Sequence, residues 1–313
     1  MAIFSIDNIV KMLPPSSISN ERSTVYFTKD ISAGGLIRIY EALGVNLQRN
    51  VAVKISTGEA GNPYYLKQPL IGPLVHMLNG TYVECSTAYP GTKRYKVSDH
   101  LQVIKDHGFF NIANVDIMDD PDEIEIPVKN GFHLKENIIG ADLKRYNSLL
   151  ILSHAKMHAM AGFGAAMKNM SIGIASRRGK INIHTAGTGT EWKDVDKFDN
   201  QDGFLESMVD ACSSVIDLIG KENIVYISIA NDISIDCDCD ARPHKPEVPD
   251  IGIFASIDPV AVDQAFIDGI YNLPDSGGKD RLIARLKERN GEHIIWAAKE
   301  KGLGFRDYDL KII

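Results

Sequence analysis

The chain has 313 residues, 44% of them apolar and 24% charged, which is the balance of a folded globular protein and excludes disorder, collagen and coiled coil. Lys and Arg number 34 against 41 Asp and Glu, a net charge of -7, so no global field favours nucleic acid or an anionic membrane surface. Any anion site must be local. Apolar runs such as 148–152 and 223–230 fall far short of the ~20 residues that cross a bilayer. Residues 1–13 lack the basic stretch and long apolar block of a secretory signal. Four cysteines in a chain of this length do not make a disulfide framework, and reduced thiols suit the expected cytoplasmic location. The sequence sets no oligomeric state.

In chain order, β-branched runs alternate with stretches of helical period. The pattern predicts a strand over 25–28, a helix over 35–43 and a strand over 51–56. A helical stretch over 66–78 follows, interrupted by Pro69 and Pro73, then a strand over 81–85 introduced by Asn79 and Gly80. A helix is expected over 97–107, capped by Ser98 or Asp99 and stopped by Gly108. The acidic segment 116–122, with Pro121, reads as a surface loop before a strand over 124–128. The apolar run 148–152 suits a strand covered on both faces. A helix over 204–219, strands over 224–229 and 250–255, and a helix over 258–270 opened by Asp258 and Pro259 come next. One long helix over 281–301 and a strand over 308–312 close the chain. Such alternation predicts an α/β fold of mostly parallel sheets flanked by helices. Two domains are expected, 1–145 and 146–313, with an interdomain cleft.

Ligands of open parallel sheets sit where strands end and helices begin, so the segment after 148–152 carries the first candidate site. Within about thirty residues it holds His154, His158 and His184, and five cations: Lys156, Lys168, Arg177, Arg178 and Lys180. In a chain of net negative charge this cluster is the footprint of a phosphate or carboxylate ligand. Gly162 and Gly164 let backbone approach such a ligand closely. His154 and His158 are four apart and would share a helix face, a metal-pair spacing as well as a common surface arrangement. The loop matches neither the G-x-x-x-x-G-K-[ST] nor the G-x-G-x-x-G pattern.

The second concentration is Asp236-Cys237-Asp238-Cys239-Asp240, ahead of His244. Adjacent thiols and carboxylates raise one another's pKa unless a cation sits among them, which points to a metal at Cys237, Cys239 and Asp238. The C-x-C spacing is not that of structural zinc, and a polar loop with two ordinary thiols is the competing reading. A third candidate, Ser56, Thr57 and Gly58, follows a strand and offers hydroxyls and a glycine to a phosphate. Near Cys85, Tyr89, Arg94 and Tyr95 are candidates for the same crevice.

Four ordered segments, GFGAAMKNMSIGIASRRGK, DCDC, DIGIFASIDPVAVDQA and GLGFRDYDL, resemble the family called domain of unknown function 362, over most of the chain from about Val51. The pattern H-x9-K-x15-H, with AGFGAA before the Lys, is also similar to the cofactor segment of nickel-dependent lactate racemases. That resemblance implies Lys168 as the anchor of a nickel-pincer nucleotide, His184 as a nickel ligand and His158 as a proton-transfer residue. The racemase Thr-His-Arg-Pro and Asp-x-Thr-Arg patterns are not present, and STAYPGTKR and STGEAGNP stand in their places.

Taken together, the sequence points to a metal- or cofactor-dependent enzyme acting on a small anionic hydroxy- or oxo-acid, by proton or hydride transfer. Its expected catalytic residues are His158, Lys168 and His154. A carrier of metal or iron-sulfur without catalysis, centred on Cys237, Cys239 and Asp238, is the alternative. A protein that holds a nucleotide without chemistry is a third.

Overall fold

The computed structural model describes residues 22–47, 49–196 and 198–313, so the expectation for residues 1–13 lies outside the described residues. The strands are β1 (Ser23–Thr28), β2 (Val51–Lys54), β3 (Thr81–Glu84), β4 (Val115–Ile117), β5 (Glu123–Pro127), β6 (Glu136–Gly140), β7 (Ser148–His154), β8 (Lys156–His158), β9 (Gly162–Gly164), β10 (Ile224–Ala230), β11 (Gly252–Ser256) and β12 (Tyr308–Ile312). Eight of them form one sheet in the order β12-β1-β11-β10-β7-β2-β3-β4. Only β11 runs antiparallel to its neighbours β1 and β10; the other pairings are parallel. The mostly parallel α/β architecture expected from the alternation of elements is therefore present.

Helices cover both faces. The first three, α1 (Ala33–Ala42), α2 (Gln68–Met77) and α3 (Val97–Asp106), pack Leu36, Ile39, Ile71, Leu74 and Ile104 against Val51, Val53, Leu150 and Leu152. On the opposite face lie α4 (Ala166–Ser171), α5 (Arg177–His184), α7 (Gln201–Ile219), α8 (Pro259–Tyr271), α9 (Gly277–Glu288) and α10 (His293–Glu300), with the short α6 (Trp192–Val195) beside α5. That side buries Ala52, Leu149 and Ile151, the alternate residues of the same strands. The continuous apolar runs of β2 and β7 follow from this, because both faces of each strand are dry. The expected division at 145/146 falls between strands of this one sheet, since β2 pairs with β7 and β1 lies between β11 and β12.

Three elements differ from expectation. Pro69 and Pro73 do not break α2: Pro69 occupies its first turn, where no donor is needed, and burial of Ile71, Leu74 and Val75 outweighs the bond lost at Pro73. The long C-terminal helix is two, divided where Asn290 takes a φ of 47° and Gly291 packs on the hairpin of β8 and β9. Part of the acidic segment is not loop but the edge strand β4, paired with β3.

Parallel order sets the position of the site. From β2 the chain winds outward through β3 to β4, and from β7 it winds the other way to β10. The carboxyl ends of β2 and β7 are thus a topological switch point, where an α/β sheet opens a crevice.

Candidate functional site

Two charged residues end the apolar strands at this crevice, Lys54 on β2 and Glu84 on β3. Each is buried, at 1% and 4% exposure, which demands compensation. Glu84 obtains it in full: Arg94 Nη1 donates at 2.7 Å, His100 Nε2 lies at 3.1 Å, and the Thr57 hydroxyl and N–H both donate to it. Burial pushes the Glu84 carboxyl up, but Arg94 and His100 overcome it and hold the group far below the carboxylate range. Lys54 has only neutral acceptors, the Ile55 carbonyl at 2.5 Å and Asn169 Oδ1 at 3.1 Å. Burial lowers its ammonium to about 8.

The segment after β7 supplies the other wall. His154 ends β7, β8 and β9 form a hairpin in which Lys156 faces Gly164 and His158 faces Gly162, and α4 follows. This corrects the expectation that His154 and His158 share a helix face. Ala165 precedes helix α4 and has no polar side chain to cap it. Asp263 of α8 does so instead, accepting from Ala166 N at 2.8 Å and Met167 N at 2.9 Å. Asn169 of α4 donates to the carbonyls of Lys54 and Leu152, tying the helix across the ends of β2 and β7. Lys168 is thereby fixed at the switch point.

The inner cavity so formed measures about 100 Å³, and Lys54, Arg94, Lys168 and Lys180 bring four cations to its wall. Arg94 is neutralised by Glu84. Lys180 donates to the Ala175 carbonyl. Among the described residues, Lys54, Lys168 and Lys180 make no ion pair, and Lys168 Nζ makes no hydrogen bond. Burial, with Arg94 and Lys54 nearby, lowers the Lys168 ammonium to about 8. Two glycines create the space for these amines. A Cβ on Gly164 would stand 2.8 Å from Lys168 Cδ, and one on Gly173 would stand 2.8 Å from Lys54 Cε and Nζ.

The remaining expected residues divide. Asp238 lines the inner cavity but is fully engaged, with His154 at 2.9 Å and Lys156 at 3.1 Å. Burial raises its carboxyl, yet His154 and Lys156 bring it down to about 2. His154 offers no free nitrogen, since Nδ1 faces Asp238 and Nε2 the Asn231 carbonyl at 2.8 Å. His158 borders a second, outer cavity of about 460 Å³. Its Nδ1 accepts from Met160 N and Ala161 N, so its proton sits on Nε2. Burial and the Lys168 charge keep His158 neutral, far below its ordinary range. His184 lines neither cavity; it stacks on Phe204 and its Nδ1 donates to the Lys180 carbonyl, leaving a lone pair on Nε2. Burial lowers it to about 4.

Arg177 and Arg178 face away from both cavities. Arg177 lies over the Tyr95 ring, and Arg178 pairs with Glu123. Of the third candidate only Ser56 reaches the inner cavity. Thr57 is committed to Glu84, and Gly58, at φ 79°, packs on Tyr65. Gly162 answers to the backbone of Gly291, 2.9 Å from where its Cβ would stand, and not to a ligand. Tyr89 and Arg94 line the inner cavity as expected, Tyr95 does not, and Cys85 joins them there. Cys237 and Cys239 lie in a turn between the two cavities and, against the expectation of reduced thiols, are joined as a disulfide. His244 pairs with Asp236 at 2.5 Å. Lys54, Glu84, Asp263 and Asn169 were not foreseen, although a lone charge ending an apolar strand, as in VAVK and TYVE, is a signal of the first two.

Among solved structures, the lactate racemase apoprotein from Thermoanaerobacterium thermosaccharolyticum is 12% identical with a TM-score of 0.40, over 69% of this chain and 53% of that one. A protein from Thermotoga maritima is 12% identical with a TM-score of 0.43, over 86% of this chain and 58% of that one. The chain thus spans just over half the length of either. No curated protein matches it. No helix among the described residues is long and apolar enough to cross a membrane. A family model described as a domain of unknown function, DUF362, matches residues 51–268, more than half of the chain, and the chain belongs to that family.

Proposed function

We propose that the chain is an enzyme that binds a small hydroxy- or oxo-acid in the inner cavity and moves a proton at the carbon next to the carboxylate, in the manner of a racemase or epimerase. The observation that carries this reading is Lys168, a half-buried amine on the cavity wall with no hydrogen bond or ion pair among the described residues, brought to about 8 by burial and neighbouring cations. A lysine in that condition is partly neutral near physiological pH and accepts a proton. Lys54 and Lys180, which have no carboxylate partner among the described residues, hold the acid's carboxylate and favour the negative charge that develops when the proton leaves. The cavity, about 100 Å³, is compact, which suits a small acid.

The nickel-pincer nucleotide of the racemase resemblance fits only in part. Lys168 presents a free amine and His184 a lone pair. The nucleotide's phosphate finds no cradle, because Thr57 is given to Glu84 and Gly58 to Tyr65. With His184 outside both cavities as well, the residues present do not complete a seat for the nucleotide.

The test is proton NMR in D₂O with small 2-oxo and 2-hydroxy acids. Exchange of the C–H beside the carboxylate or carbonyl is expected, and Lys168→Ala should lower its rate by roughly 10²- to 10⁴-fold, the range of general base catalysis. Exchange unchanged in Lys168→Ala contradicts the reading.

One observation favours a second reading, metal carriage: a ring nitrogen of His158 and the sulfurs of Cys237 and Cys239 lie within 4.8 Å of one another. It requires the disulfide to be reduced and His158 to give up its two backbone donors. Elemental analysis after anaerobic reduction tests it; stoichiometric metal that is lost in a Cys237→Ser, Cys239→Ser variant supports carriage.

A further inference from the structure

Cys237 and Cys239 differ from the other two cysteines in exposure and in bordering the outer cavity. Cys85 and Cys212 are buried, and burial pushes both thiols far up, so they are inert. The C-x-C pair is half-buried and lines both cavities, with the outer one open to solvent. The three carboxylates that flank it are already occupied. Asp236 is paired with His244, Asp238 with His154 and Lys156, and Asp240 accepts from Arg242 N. The ion pairs of Asp236 and Asp238 reduce the repulsion that an approaching thiolate meets. The outer cavity, about 460 Å³, is of the size that holds a small molecule, and an exposed Lys93 stands on its rim. The two sulfurs are also not equivalent: the backbone N–H of Cys239 donates to Cys237 Sγ at 3.4 Å.

We propose that Cys237 and Cys239 are a redox-active pair that exchanges with a small external thiol entering the outer cavity, with Cys239 the sulfur attacked and Cys237 the leaving group. An external thiolate forms a bond to Cys239 Sγ, the Cys237–Cys239 bond breaks, and its electron pair leaves on Cys237, where the Cys239 N–H receives the charge. Leaving-group stability sets the rate of such exchange. A second external thiolate then attacks the outer sulfur of the mixed disulfide and releases Cys239. Two external thiols are oxidised to their disulfide, the protein disulfide is reduced by two electrons, and the two thiol protons end on Cys237 and Cys239. The inference is independent of the chemistry assigned to Lys168.

The test uses the full chain, purified without reductant, with reduced and oxidised glutathione as probes. Samples are quenched in acid, alkylated and mapped by mass spectrometry. Reduced glutathione is expected to give a transient adduct on Cys239, favoured over Cys237 by roughly fivefold, the effect of one hydrogen bond on a leaving group. Two alkylated thiols at Cys237 and Cys239 follow, with Cys85 and Cys212 unmodified. In Cys237→Ser, oxidised glutathione should leave a lasting adduct on Cys239, whereas the same adduct in the reduced natural chain collapses to the internal disulfide. Circular dichroism confirms that the variant is folded. An internal pair that glutathione does not reduce in the folded protein overturns the proposal. So does an adduct equally placed on both cysteines, or one equally long-lived in both proteins.

Discussion

Replacing Lys168 by methionine removes an ammonium from the inner cavity while keeping the length of its stem. The folded protein holds that ammonium at about 8 against an ordinary 10.5, so the unfolded chain binds more protons between those two values. Stability therefore rises as pH climbs from about 8 to 10.5, and below pH 8 the full penalty applies. At ~1.4 kcal/mol per pH unit the penalty is on the order of 3 kcal/mol for complete enclosure. Lys168 is only half-buried, and solvent screening of its exposed part leaves about 2 kcal/mol. Urea denaturation at pH 7 should find Lys168→Met more stable than the natural protein by about 2 kcal/mol, while proton exchange on the acid is lost. The advantage should shrink toward zero as pH approaches 10.5. A methionine variant less stable at pH 7, or an advantage unchanged with pH, refutes the reasoning.

Other outcomes follow from the same geometry. Gly164→Ala places a Cβ 2.8 Å from Lys168 Cδ and should displace the amine, so that exchange falls at least tenfold, roughly 1.4 kcal/mol, in a protein whose circular dichroism is unchanged. Asp238→Asn leaves His154 and Lys156 buried against a neutral amide and should cost about 3–5 kcal/mol in urea denaturation; a loss under about 1 kcal/mol would show the carboxylate to be dispensable. The Asp238 carboxyl, held at about 2, contributes stability that is complete above its ordinary 3.8 and lost as pH falls through about 2. His184 acts earlier in the same acid titration. Held near 4, it cannot take the proton that the unfolded chain takes below 6.5, so stability should decline by on the order of 3 kcal/mol between pH 6.5 and 4. A His184→Gln variant whose stability declines as steeply over that interval would assign the loss elsewhere.

The architecture was legible because it is written in local patterns. Continuous apolar runs of 148–152 and 224–229 became the doubly covered β7 and β10, and Asp258 with Pro259 opened α8 as read, its carboxylate accepting from Val260 and Ala261. The break at Asn290 and Gly291 was missed because it answers to a distant hairpin and not to the periodicity of its own segment. In the site, sequence proximity brought Lys168 and Lys180 to the cavity but misled for Arg177 and Arg178. Those two share a helix with Lys180 and point to Tyr95 and Glu123. The compensating groups come from far along the chain: Asp263 lies 96 residues from Met167, and Asn169 bonds Lys54 across 115. No spacing rule joins such pairs before the sheet does.

The protonation of the Lys168 amine bears most directly on whether an uncompensated base lies at the switch point. Reductive methylation with ¹³C-formaldehyde, followed by NMR titration of the dimethylamine signal assigned through Lys168→Met, measures it without any substrate. A midpoint near 8, moving upward when a small carboxylate is added, is the predicted result. A midpoint at the ordinary 10.5, unmoved by added acid, would mean that the amine is solvated and not the base of the reaction.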